Sequence, residues 1–120
     1  MKVAIAIITK DRPDFVERQL EYFKQMKTNH VIYYGDGSDA KNFEQMKRVI
    51  NLYQNDVQIR HFHWPSLNDR QTTWELVLKI EEEYTCWMGD DDFMIPESVS
   101  QCAEFLKIHK LYIFIITMYK

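Results

Sequence analysis

Tyr84-Thr85-Cys86-Trp87-Met88-Gly89-Asp90-Asp91-Asp92 decides how this chain is read: an apolar run, one glycine, then three adjacent aspartates. Phe93-Met94-Ile95-Pro96 follows, and Pro96 suits the first turn of a helix. The segment therefore predicts a buried strand, an acidic turn and a helix start. Three neighbouring carboxylates at a strand mouth repel one another and resist desolvation. A divalent cation relieves both costs, and hard oxygen ligands suit Mg2+ or Mn2+ reached through one or two carboxylates and substrate phosphates. The alternative is a solvated acidic turn with no ligand.

Working outward, apolar runs alternate with helical periodicity. Val3 to Thr9 is a near-continuous apolar run, as in a strand buried on both faces. Arg12-Pro13-Asp14 opens a helix with Val16, Leu20 and Phe23 on one stripe. His30 to Tyr34 is a second strand, and Gly35-Asp36-Gly37-Ser38-Asp39 a turn cluster. Phe43, Met46, Val49, Ile50 and Tyr53 space out a second helix; Val57 to Phe62 alternates less cleanly, as at a sheet edge. Ser66 with Asp69 resembles an N-cap for a third helix, whose face carries Trp74, Val77, Leu78 and Glu81. The fourth helix presents Val99, Cys102, Ala103 and Leu106 inward, and Leu111 to Met118 reads as a fifth strand. Trp74 and Trp87 are expected in the core, and Phe93 beneath the acidic turn.

Strand–helix alternation with short connections makes the fold class α/β, a Rossmann-like three-layer sandwich with a mostly parallel sheet and right-handed crossovers. At 120 residues, residues 1–120 are expected to be a single domain. A net charge of −3 with no basic block argues against nucleic acid as a partner. No run approaches the ~20 residues of a membrane span. The two cysteines, Cys86 and Cys102, read as small buried hydrophobes in a reducing compartment, so a cytoplasmic location is expected.

The polar clusters Thr9-Lys10-Asp11-Arg12-Pro13, Gly35-Asp36-Gly37-Ser38 and Asp90-Asp91-Asp92 each follow a strand. If the strands are parallel, all three share the carboxyl edge of the sheet, where open α/β sheets bind ligands. His61 and His63 share one strand face, a spacing that can bind zinc, but no third ligand is evident and a structural or surface role is expected.

In these features the chain resembles the N-terminal, nucleotide-sugar-binding half of a GT-A fold, family-2-like inverting glycosyltransferase. Thr9-Lys10-Asp11-Arg12 matches the family's first-strand Thr-x-Asn-Arg segment, Asp36-Gly37-Ser38 its Asp-Gly-Ser turn, and Asp90-Asp91-Asp92 its Asp-x-Asp element, with Pro96 following. The resemblance implies binding of a nucleotide-diphosphate sugar, UDP-linked in most members, with Mn2+ or Mg2+, for transfer to an acceptor glycan or other hydroxyl. It implies that Asp36 accepts a hydrogen bond from the base, that Thr9 and Arg12 line the base and ribose pocket, and that Arg70 touches the base or diphosphate. Asp90 would reach the ribose, and Asp91 and Asp92 would hold the metal. The chain departs from the pattern at Ile8, where a proline is common, and at Gly89, where many members carry an acid. The acceptor-binding part and its catalytic carboxylate are expected to be missing, so the chain reads as truncated. Alternatives are a non-catalytic remnant or partner-binding half, with a homo-oligomer as one form, and a phosphoryl-transfer or receiver-type α/β domain. The last needs an acidic pair after the first strand, which Thr9-Lys10-Asp11 does not supply.

Overall fold

In the computed structural model, residues 1–109 are described. The fifth strand expected over 111–118 lies outside them. The elements alternate: β1 (Ala4–Thr9), α1 (Pro13–Gln25), β2 (Val31–Asp36), α2 (Ala40–Tyr53), β3 (Gln58–His63), α3 (Asp69–Lys79), β4 (Thr85–Gly89) and α4 (Pro96–Ile108). Among the described residues the sheet has four strands in the order β3-β2-β1-β4, and every pairing is parallel.

Burial follows strand position. Ala4, Ile5, Ala6 and Ile7 of central β1 are fully buried, and so are Ile32, Tyr33 and Tyr34 of β2. β3 lies at an edge and is half exposed, as its weaker patterning predicts. β4 corrects the expectation of a buried strand: it forms the other edge among the described residues and is only partly buried.

Alternation along the strands sends their side chains to two layers. Ile5, Ile7, Ile32 and Tyr34 pack with Val16, Leu20 and Phe23 of α1 and Met46 of α2. Ala4, Ala6, Val31 and Tyr33 face Leu76 of α3 on the other side. Val3, Val99 and Ala103 bring α4 to the α1 side. Crossovers of one hand require this division, because the chain steps β1→β2→β3 in one direction and then returns past β1 to β4. Ala4 and Ala6 leave room for α3, and Gly35 lets it approach. A Cβ at Gly35 would lie 2.8 Å from Thr72 Cγ2 and 3.0 Å from Ile8 Cδ1.

Four local expectations change. The α3 cap is Asn68, whose side chain accepts from the Gln71 N–H and whose own N–H donates to the Gln71 side chain, a capping box in place of one built on Ser66. Trp74 is 66% exposed, with Val77 and Leu78 also exposed, because α3 turns Thr72 and Leu76 to the sheet. Cys102 is exposed beside its buried neighbour Ala103. Cys86 is half-buried, donates to Met94 Sδ at 3.1 Å, and has its thiol pushed up to about 11 by burial and by Cys102 nearby.

Candidate functional site

The strand order makes one crevice special. β1 lies between β2, which follows it through α1 on one face, and β4, which is reached through α3 on the other, so the strand order reverses at β1. Open α/β sheets bind ligands at such a switch point. Thr9 ends β1 there and Gly89 ends β4, with Ile8 opposite Gly89 and Thr9 opposite Asp36.

Thr9 connects the two acidic turns. Its carbonyl accepts from the Gly37 N–H at 2.9 Å, and its buried hydroxyl donates to Asp90 Oδ2 at 2.9 Å. Arg12, the residue preceding α1, donates from Nη1 to Asp90 Oδ1 at 3.1 Å. Thr9 and Arg12 thus both contact Asp90. Both Asp90 oxygens are engaged by protein groups.

The first loop sits on the second. Asp11 adopts a left-handed backbone, φ 56°, a conformation aspartate tolerates better than most residues. Its N–H donates to Ser38 Oγ, and its Oδ1 accepts from the Asp39 N–H and the Asn42 side chain. Asp39 in turn caps α2 by accepting from the Asn42 N–H.

Asp36 is fully buried. Its Oδ1 accepts from the Ser38 N–H at 2.8 Å and its Oδ2 lies 2.7 Å from His61 Nε2. Burial pushes this carboxyl up, but the hydrogen bonds from His61 and Ser38 more than reverse that and hold it below its ordinary value. Asp36 therefore organises its turn as it stands. The two histidines, expected to be structural, help frame this edge. His63 Nε2 lies 2.8 Å from the Ser38 carbonyl, and its ring stacks on Phe43 at 3.7 Å and 4°. Strand parity, which puts His61 and His63 on the face of Asp36, carried that signal.

The acidic turn is held from beneath by a residue the sequence reading passed over. Gln19, fully buried in α1, donates from Nε2 to the carbonyls of Gly89 (2.8 Å) and Asp92 (2.9 Å). Its Oε1 accepts from the Tyr34 hydroxyl at 3.0 Å. Burial, then the neighbouring Asp90 charge, pushes the Tyr34 phenol far up, so it stays a neutral donor. The visible signal was a glutamine three residues after Val16 and four before Phe23, inside an apolar stripe. Phe93, expected beneath the turn, is instead exposed and edge-on to Tyr22.

Asp92 closes the turn on Gly89: the Asp92 N–H donates to the Gly89 carbonyl, and Asp92 Oδ2 accepts from the Gly89 N–H at 3.1 Å. A Cβ on Gly89 would meet Asp92 Oδ2 at 2.8 Å and Asp91 Oδ1 at 3.0 Å. A side chain at this position would require those two exposed carboxylates to shift. The same contacts show that two exposed carboxylates converge on one point above Gly89. Two oxygens with open solvent beyond suit Mg2+ or Mn2+, which keep several waters or phosphate oxygens. Among the described residues there is no group of three or more acidic, histidine or cysteine side chains placed to cage a metal. Within the protein, Arg12 and Thr9 engage Asp90, the Gly89 N–H bonds Asp92, and Asp91 is exposed to water. Arg70 is exposed in the first turn of α3, at the same end of the sheet, and is not tied to the other site residues.

The fold is similar to that of TarS from S. aureus, a glycosyltransferase. Against TarS 1-349 the TM-score is 0.72 at 15% identity, covering 92% of this chain and 33% of that one. Against TarS 1-349 in complex with UDP-GlcNAc it is 0.72 at 15% identity, covering 92% and 32%. A longer TarS structure gives 0.71 at 16% identity, covering 92% and 20%. No protein-family model and no curated protein matches the sequence. The likeness is one of fold, shared over 92% of this chain, and the chain spans about a third of the length of TarS 1-349. Among the described residues no helix is long and apolar enough to cross a membrane.

Proposed function

We propose that this chain binds a nucleotide-diphosphate sugar, UDP-linked, in the crevice between the Asp36 turn and the Asp90–Asp92 turn, as the donor side of an inverting glycosyltransferase acting on an acceptor hydroxyl. The observation that carries the reading is the Thr9 bridge, which joins the two turns at the topological switch point. The fold's likeness to a protein solved with UDP-GlcNAc supports it.

In this reading Asp91 and Asp92 hold Mn2+ or Mg2+, which when bound would offset the negative charge of the diphosphate. Arg12, half exposed beside Asp90, lies within reach of ribose or phosphate oxygens, and Arg70 approaches from the α3 start. Asp36 meets the base through a second lone pair, once the side chains above it shift. A binding unit without turnover is the second reading, since the crevice residues named here take binding or structural roles and none of them is placed as the base for an acceptor hydroxyl.

Calorimetric titration with UDP, with and without MnCl2, tests donor binding. Tighter UDP binding with metal than without it is expected, and the difference should be lost in Asp91→Ala and Asp92→Ala. A folded protein that takes up no UDP with manganese present would sink the proposal. UDP release from UDP-GlcNAc separates the two readings: the binding unit retains donor and releases none.

A further inference from the structure

We propose that Gln19 is the positioning residue of the acidic turn, holding Asp91 and Asp92 where they would hold a divalent cation beside a bound diphosphate. The inference rests on the donor-binding reading above and assigns a role to a residue outside it.

A glutamine amide offers two N–H donors and one acceptor oxygen. Here both donors go to carbonyls of one turn, Gly89 and Asp92, and the oxygen takes the Tyr34 hydroxyl. The reverse amide orientation would set an oxygen against two carbonyl oxygens, so the network has one workable arrangement. Neither neighbouring residue type reproduces it: glutamate has no donor for the carbonyls, and methionine or leucine fills the space without holding the turn.

Placement supplies the second half. α1 begins just after Arg12, which pairs with Asp90, and carries Gln19 about two turns later. One rigid helix therefore grips the acidic segment at both ends, at Asp90 and at the Gly89 and Asp92 carbonyls. Because Asp92 also closes back onto the Gly89 N–H, holding those two carbonyls fixes the span on which Asp91 and Asp92 project. Groups that orient metal ligands from behind commonly change metal affinity by about 10–100-fold when removed.

The test compares wild type, Gln19→Met and Tyr34→Phe, each confirmed folded by circular dichroism and thermal melting. UDP affinity is measured with MnCl2 and with EDTA. Gln19→Met is expected to weaken Mn2+-dependent UDP binding by about 10–100-fold while leaving the metal-free affinity unchanged. Tyr34→Phe, which frees the amide oxygen but keeps the ring, is expected to show the same selective loss to a smaller degree and covers the case in which Gln19→Met fails to fold. A general loosening of the fold would lower both affinities together and would overturn the assignment. Wild-type manganese dependence in the folded variants would overturn it too and leave donor binding standing. Absence of manganese-dependent binding in the wild type would remove donor binding first, and this inference with it.

Discussion

His30 makes the molecule acid-sensitive at a point far from the ligand edge, and replacing it by leucine should show how much. The ring is 1% exposed, at the opening of β2. Its Nδ1 accepts from the Val3 N–H at 3.1 Å; its Nε2 lies 3.0 Å from the Pro96 carbonyl and 2.9 Å from Ser100 Oγ. A nitrogen that accepts from an amide carries no proton, so the neutral tautomer has its hydrogen on Nε2, aimed at the first turn of α4. Protonating Nδ1 would set N–H against N–H. Burial, with the chain's N-terminal charge adding to it, holds the imidazole below its ordinary value despite the opposing Pro96 bond. A depressed histidine contributes stability that is present above its unfolded pKa, about 6.5, and is lost as pH falls from there towards the folded value. His30→Leu orphans the Val3 N–H, itself buried, at about 1–3 kcal/mol, and forfeits about 1 kcal/mol more at Pro96 and Ser100. The expected loss of about 2–4 kcal/mol corresponds to a fall of about 8–16 °C in Tm for a domain of this size. Urea unfolding at pH 7.5 and 5.5 reads both effects: the wild type loses stability on acidification, and the variant loses less. An equal pH slope in the two proteins would refute the tautomer argument.

Two further outcomes follow from the packing. Gly35→Ala pushes a methyl against Thr72 and Ile8 and should cost about 1–3 kcal/mol by chemical denaturation, with α3 displaced from the sheet. Asp36→Asn weakens the His61 contact and should cost about 1–3 kcal/mol at pH 7. Because the Asp36 carboxyl is held below its ordinary value, its contribution is present above about pH 4 and vanishes as pH falls through the folded value. The variant should therefore lose part of the wild type's acid limb, as followed by tryptophan fluorescence.

Strand positions were legible because burial on two faces leaves a plain record. Val3 to Thr9 reads as continuous apolar sequence, and β1 is the central strand it implies. The failures have physical causes. Periodicity located α3 but misjudged its rotation: Trp74, Val77 and Leu78 look like a core face, yet Gly35 and the small Ala4 and Ala6 accept Thr72 and Leu76 instead. The site's outline was readable from strand-end clusters, since parallel strands carry every such cluster to one edge. Its internal wiring was not. The Gln19, His61 and Tyr34 bonds join residues 15 to 73 positions apart, and no local pattern encodes which polar side chain will meet which turn.

The three aspartates show why wiring matters more than the motif. Read as a string they are equivalent, and their mutual repulsion argues for a cation. In the fold they divide. Asp90 faces inward, neutralised by Arg12 and bonded by Thr9, and ties β4 to β1. Asp92 bends back to its own turn through the Gly89 N–H. Asp91 stays in water, with one oxygen converging on the same point as Asp92. These bonds offset part of the repulsion, so the case for a cation rests on that convergence more than on the charge count. It follows that Asp91 and Asp92, and not Asp90, are the positions where substitution should separate metal-dependent from metal-independent nucleotide affinity. Asp90→Asn should instead act through the Thr9 bridge and weaken both together.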